Sequence, residues 1–198
     1  MSTSIPIRSL VSEQVGSAAR LQAPGLARRA RIALDTVRFP TTRGSTPGAA
    51  LCPVLVHVTP SADGRDALHP QTDTPARQPG PRSSDWAEIV PELGPESGDL
   101  VMTKRQWGAF HGTELDLQLR RRGIDTILLA VISTNVGVES TARDAYERGY
   151  EQVFVEDAMA ARSPDEHLHT IRTVFTRIGR VRSTAEVLAA LEVAIGQA

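Results

Sequence analysis

Short runs of aliphatic and β-branched residues alternate with helical patterns from about residue 52 to the end of the sequence. Such alternation is typical of a βα-repeating chain with a largely parallel sheet. The predicted strands lie at residues 53–59, 99–103, 125–132, 152–156 and 179–182. The predicted helices lie at residues 85–90, 113–122, 138–148, 165–177 and 184–195. The pattern therefore predicts an α/β domain over residues 52–198.

The segment at residues 113–122 fits two patterns. Its leucines at positions 115, 117 and 119 alternate as in a strand. However, Thr113 and Asp116 form a start that resembles a capping box, and Gly123 supplies a stop signal. We let these end signals decide and predict a helix.

The N-terminal quarter lacks this regularity. A doubly wound sheet normally has a very apolar central strand near its start, whereas residues 12–51 offer only the short apolar segment 31–37. Residues 12–51 also carry six arginines against Glu13 and Asp35, a net charge of +4. We therefore predict an irregular basic segment over residues 1–51, with the first strand missing or degraded. Sequence divergence and an altered reading frame both explain this composition.

Composition narrows the class of protein. The chain has 198 residues, of which 40% are hydrophobic, and a formal net charge of −1; these values fit one folded domain with a substantial core. One cysteine excludes an internal disulfide, and the longest apolar run is too short to span a bilayer. The near-zero net charge provides no general attraction to nucleic acid. Without a signal-peptide pattern, we expect a cytoplasmic protein that binds a small molecule rather than nucleic acid or membrane.

One candidate site is the polar turn after the most apolar predicted strand. Ligands of open α/β sheets bind beyond the carboxyl ends of the strands, where helix N-termini present free backbone N–H groups. The turn consists of Ser133, Thr134, Asn135, Val136 and Gly137. Its amides are candidates to bind substrate and to stabilise a developing oxyanion, although an ordinary polar βα turn has the same pattern.

Lys104 is the second candidate because it is the only lysine among 22 basic residues. Arginine is a fixed, always-charged fork, whereas lysine is a compact charge whose pKa responds to burial. A site that needs a lysine would not accept arginine, but a solvated lysine fits the pattern equally well. Trp107 and Phe110 follow Lys104, and they either wall a substrate pocket or pack in the core.

Two blocks of the sequence resemble the isochorismatase-like hydrolase family of the cysteine hydrolase superfamily. They are TKRQWGAFHGTELDLQLRRRG at residues 103–123 and STNVGVESTARDAYERGYEQVFVEDAMAA at residues 133–161. The resemblance covers about residues 52–192. It implies a three-layer, Rossmann-like α/β fold with a mostly parallel six-stranded sheet, helices on both faces, and assembly into homo-oligomers.

The resemblance also implies a set of catalytic positions. Cysteine-hydrolase members use an Asp–Lys–Cys triad, in which the Asp ends the first strand, the Lys follows a later strand and the Cys begins a helix. Lys104 falls on the lysine position, and Gly137 falls on the nucleophile position, where many relatives have Asn-Val-Cys-Val. Gly137 supplies no sulfur, and Cys52 begins a different strand. Isochorismatases proper are similar in having Gly there, and they cleave a vinyl ether by protonation and water attack.

The family's acid has only a tentative match in Asp35, which lacks the Gln that normally follows two residues later. A metal is not expected, because His57, Asp63 and His69 do not reproduce the Asp-x-His spacing of metal-binding nicotinamidases in the superfamily. No glycine-rich phosphate-binding motif occurs either, so we expect no cofactor. The resemblance therefore implies hydrolysis of a vinyl ether or an amide-type C–N bond without a cysteine nucleophile. The alternative is a catalytically inactive member that acts as a binding or oligomerising module.

Overall fold

The computed structural model describes residues 9–13, 52–61, 63–73, 87–89 and 91–196. Within these residues six strands form one sheet, in which every neighbouring pair is parallel. The strands are β1 (Ser9–Glu13), β2 (Cys52–Val58), β3 (Leu100–Lys104), β4 (Thr126–Ile132), β5 (Glu151–Ala160) and β6 (Arg180–Arg182). Their order across the sheet is β3-β2-β1-β4-β5-β6. The parallel α/β fold predicted from the sequence is confirmed.

Helices connect the strands. They are α1 (Leu115–Arg121), α2 (Glu139–Glu147), α3 (Pro164–Thr170), α4 (Thr176–Ile178) and α5 (Thr184–Gly196). A π-helical turn at Thr134–Val138 leads directly into α2, and another at Ile171–Phe175 joins α3 to α4. The helix predicted at residues 85–90 is not formed at residues 87–89, and a 3₁₀ turn at Pro91–Leu93 follows instead. Residues 85, 86 and 90 lie outside the described residues.

The ambiguous segment at residues 113–122 is helical. Leu115 and Leu119 are completely buried, whereas Leu117 between them is 47% exposed. Residues four apart share a helix face, so the alternating leucines split between an inner and an outer surface. The helix begins at Leu115, two residues later than predicted, and its N-cap residue Glu114 makes no capping hydrogen bond; the Thr113 hydroxyl accepts instead from the Leu115 amide at 3.2 Å.

The central strand differs from the sequence expectation. β1 lies between β2 and β4 and pairs with both, so the central position of the sheet is occupied. The sequence favoured the segment at residues 31–37 for this role; that segment, with Asp35, lies outside the described residues. Only Leu10 and Val11 are apolar in β1, a pattern too weak to indicate a central strand. Backbone pairing with β2 on one side and β4 on the other determines the central position of β1.

Both faces of the sheet are covered. Ile127, Leu128 and Leu129 of β4 are each completely buried, although successive residues of a strand point to opposite faces. Across the core, the rings of Phe154 and Phe175 stack with their centroids 3.9 Å apart. Within the described residues, no helix is long and apolar enough to cross a membrane.

The parallel arrangement collects the carboxyl ends of the strands at one edge of the sheet. β3 ends there at Lys104, and β4 ends at Ile132, directly before the polar turn. β5 has a bulge at the same edge, because its pairing shifts from Leu129–Phe154 to Val131–Met159. This edge therefore contains the two segments that carry the candidate chemistry.

Candidate functional site

Lys104 is buried at the carboxyl end of β3, with 1% of its surface exposed. Its Nζ donates a hydrogen bond of 2.6 Å to the Trp107 carbonyl oxygen. The backbone directly after β2 contacts the same position, since the Thr59 amide donates to the Lys104 carbonyl at 3.1 Å. A buried ammonium group is costly unless polar groups surround it. Lys104 is therefore not the solvated lysine that the sequence left open.

The two aromatic residues after Lys104 have different environments. Phe110 is 3% exposed and packs against Tyr150, with their ring centroids 5.6 Å apart. The amide of Ala109 donates to the Thr141 hydroxyl at 2.8 Å, which fastens this segment to α2. Trp107 is 66% exposed. Phe110 thus packs in the core, which is one of the two roles that the sequence left open, whereas Trp107 lies at the surface beside the lysine.

The turn at residues 133–138, called the 133–138 turn below, begins after a cis peptide bond between Ile132 and Ser133. The amides of Val136 and Val138 both donate to the Ser133 carbonyl at 3.1 Å, and the Ser133 hydroxyl donates to Asn135 Oδ1 at 3.0 Å. Gly137 is buried within the turn. One of the amides that the sequence offered to a substrate, that of Val136, is therefore used inside the turn. The amides of Asn135 and Gly137, on either side of it, remain candidates.

Helix α3 holds the 133–138 turn through polar side chains. Thr134 Oγ1 lies 2.9 Å from His167 Nδ1, and Asn135 Nδ2 donates to Glu166 Oε2 at 3.1 Å. The first turn of this helix is acidic, with Asp165 and Glu166, and it is capped by the Ser163 hydroxyl, which accepts from the Glu166 amide at 3.2 Å. The contact with the turn was missed because its residues are 31 and 33 positions apart, which no local pattern reveals.

The environment of His167 favours its neutral form. Burial lowers the pKa of the imidazole from 6.5, and the nearby carboxylate of Glu156 opposes this effect only in part. Glu156 lies in the bulged part of β5. The pair Thr134–His167 is therefore a hydrogen bond between two uncharged groups near neutral pH.

Two of the three residues weighed for a metal, His57 and Asp63, have other partners. His57 Nδ1 lies 2.8 Å from the Ala87 carbonyl and His57 Nε2 lies 2.8 Å from Thr103 Oγ1. The exposed Asp63 accepts a hydrogen bond from the Ser61 hydroxyl at 2.6 Å. In the part of the chain that the structure describes, no group of three His, Cys, Asp or Glu is arranged to hold a metal ion.

Cys52 is the first residue of β2 and so lies at the opposite edge of the sheet from Lys104. Burial raises the pKa of its thiol, which disfavours the reactive thiolate. Both observations agree with the sequence interpretation that Cys52 does not replace the missing nucleophile.

Comparison with known proteins identifies the family. A model of the isochorismatase domain matches residues 22–186, which is most of the chain. The protein therefore belongs to the isochorismatase family, a family of small-molecule hydrolases.

The individual relatives agree with this assignment. The chain is 61% identical over 127 residues to the uncharacterised isochorismatase family protein YwoC of Bacillus subtilis, which covers 64% of this chain and 67% of YwoC. It is 50% identical over 137 residues to the uncharacterised family protein YecD of Escherichia coli O157:H7, covering 69% and 72% of the two chains. The solved structure of an isochorismatase family protein from Burkholderia thailandensis superposes with a TM-score of 0.83 and 36% identity, over 95% of this chain and 97% of that one.

Proposed function

We propose that this protein is a cofactor-independent hydrolase of a small anionic molecule, whose scissile bond is a vinyl ether or an amide-type C–N bond. The observation that carries the proposal is the burial of Lys104 at the carboxyl edge of the sheet. A buried ammonium group provides a fixed positive charge in a low dielectric, where it interacts more strongly with an anion than in water. This charge orients the anionic group of the substrate.

Water is the nucleophile in this proposal. Gly137 lies at the nucleophile position of the family and has no side chain, so no covalent intermediate with the protein forms there. For a vinyl ether, a carboxylic acid protonates the alkene carbon, and water adds to the resulting oxocarbenium carbon. The hemiketal then breaks its C–O bond and releases a carbonyl compound and an alcohol. General acid catalysis of this kind contributes about 10²–10⁴-fold to a rate.

Two carboxyl groups are candidates for the acid. Asp35 is the match suggested by the family resemblance. Glu13 is the last residue of β1, the central strand, and thus occupies the strand-end position where the family has its acid. We expect Glu13→Gln or Asp35→Asn to abolish turnover, and the variant that does so identifies the acid.

The direct test is a screen of the purified protein against vinyl ethers, amides, ureas and esters that carry a carboxylate. The wild-type protein should hydrolyse one of these classes, and Lys104→Met should lower kcat/KM by at least about 100-fold, as expected for loss of a charged contact in the transition state. Arg105→Gln is the matched control, since it removes the neighbouring cation, which forms an exposed ion pair with Asp66 at 2.8 Å. Equal turnover by wild type and Lys104→Met would refute the proposal.

The absence of a nucleophilic side chain at Gly137 favours a second candidate, a catalytically inactive member that binds ligands or forms oligomers. No turnover across the whole panel, together with retained binding of an anionic analogue and a defined oligomer in sedimentation, would support this alternative. Turnover that depends on Lys104 would exclude it.

A further inference from the structure

Helix α3 makes three polar contacts that the catalytic proposal does not use, two with the 133–138 turn and one with the start of α2. Besides the contacts of Glu166 and His167, the Thr170 hydroxyl donates to Glu139 Oε2 at 2.9 Å, at the start of α2. Positions 166, 167 and 170 lie on neighbouring parts of one helix surface. We propose that His167 is a positioning residue for the 133–138 turn: it accepts the Thr134 hydroxyl at Nδ1 and thereby sets the direction of the Asn135 and Gly137 amides. This inference rests on the proposed function, since it assigns those amides to the substrate.

Because Thr134 is buried, its contact with His167 constrains the backbone of the 133–138 turn. Thr134 is completely buried, and its hydroxyl lies 2.9 Å from the imidazole nitrogen. A buried hydroxyl needs a hydrogen-bond partner. If the contact with His167 is lost, the hydroxyl is left unsatisfied, and its reorientation carries a cost for the surrounding backbone. Thr134 is also the residue that begins the π-helical turn, three positions before Gly137. A shift of Thr134 therefore moves the amides that follow it.

The direction of the hydrogen bond between Thr134 and His167 depends on the protonation state of His167. A neutral imidazole with its hydrogen on Nε2 accepts the Thr134 hydroxyl hydrogen at Nδ1, whereas the imidazolium only donates. Protonation therefore reverses the contact and places a charge in a half-buried position. The charged and titratable groups on α3 and on the elements packed against it are Asp165, Glu166 and His169 on α3, Arg172 on the π-helical turn that follows, Glu151, Glu156 and Asp157 on β5, and Glu139 at the start of α2.

Positioning makes a specific kinetic prediction. A misdirected amide weakens the interaction with the transition state more than the binding of the ground-state substrate. Displacements of about 1 Å cost up to about 100-fold in rate. Thr134→Val, which keeps the shape of the side chain and removes the hydroxyl, should lower kcat about 10- to 100-fold and leave KM within about threefold.

Two measurements, NMR of the protein alone and kcat with a substrate, distinguish failure of this inference from failure of the proposed function. NMR of the full-length protein measures the tautomer of His167 and the amide shifts of Asn135 and Gly137 without any substrate. We expect the Nε2–H tautomer, and displaced amide shifts in Thr134→Val and His167→Ala. His167→Asn, whose side-chain oxygen approximates the Nδ1 acceptor, should restore the wild-type shifts and most of the kcat of the substrate found in the screen.

Two controls make the same chemical changes elsewhere. Thr173→Val removes a hydroxyl that donates to the His169 carbonyl on the exposed side of this segment, and His169→Ala removes an exposed imidazole. Neither should move the Gly137 amide. Unchanged Asn135 and Gly137 shifts in Thr134→Val would overturn the inference, whether or not a substrate is found, and so would the Nδ1–H tautomer. Shifted amides in a protein that hydrolyses nothing would retain the positioning role and refute only the hydrolase.

Discussion

Gly179, directly before β6, is a position where one added methyl group is expected to be costly. A Cβ at this position would lie 2.7 Å from the Gln152 carbonyl oxygen, 2.7 Å from Phe154 Cε2 and 2.9 Å from Gln152 Cβ. The backbone of Gly179 is extended, with φ of 178°, so the cost is steric and not conformational. Gln152 and Phe154 are 1% and 0% exposed, and neither has room to retreat.

The magnitude follows from these contacts. Overpacking a core typically costs about 1–3 kcal/mol. Two of the atoms contacted belong to β5 near its backbone, and the third belongs to a ring stacked on Phe175. We therefore expect Gly179→Ala to lower the free energy of unfolding by about 3 kcal/mol. For a chain of this size the melting temperature should fall by about 6–12 °C.

Thermal unfolding followed by circular dichroism measures this effect. Gly108→Ala is the matched control, because a Cβ there would meet Ser140 and Asp144 at 3.6–3.7 Å, which is ordinary van der Waals contact. That variant should be neutral or more stable by up to about 1 kcal/mol, since alanine restricts the unfolded chain. The steric reasoning is refuted if Gly179→Ala melts within 2 °C of the wild-type protein, roughly the effect of 1 kcal/mol or less.

Three further predictions concern titration and capping. Burial lowers the pKa of His167 from 6.5, so stability should be lost as pH falls below about 6.5; urea unfolding at pH 7.5 and 5 should show this loss, and His167→Asn should reduce it. Burial and the hydrogen bond to Asp116 raise the pKa of Tyr150 from 10.0, so an alkaline absorbance titration should show a late-ionising tyrosine that Tyr150→Phe removes. Asp157 Oδ1 accepts from the Thr184 amide at 2.7 Å and from its hydroxyl at 2.8 Å, at the start of α5. Asp157→Ala should therefore cost about 1–2 kcal/mol in urea unfolding, and an unchanged midpoint would contradict this role.

Local periodicity was enough to predict the elements of the C-terminal part. The most apolar predicted strand, at residues 125–132, agrees with β4, which is Thr126–Ile132. Local patterns do not predict the end of a strand where pairing with a neighbouring strand determines it. A strand was predicted at residues 152–156, but β5 continues to Ala160 because the residues beyond its bulge pair again with β4.

For the candidate site, too, some properties follow from the sequence and others only from the tertiary structure. The sequence by itself determined which residue types are present: one lysine among arginines, and a polar turn with a glycine after an apolar strand. The tertiary structure alone decided their environments, since it buried Lys104, exposed Trp107 and brought His167 to Thr134 across 33 positions. The physical reason is that burial and hydrogen bonding at a sheet edge depend on neighbours distant in sequence. Residue spacing along the chain carries no information about those neighbours.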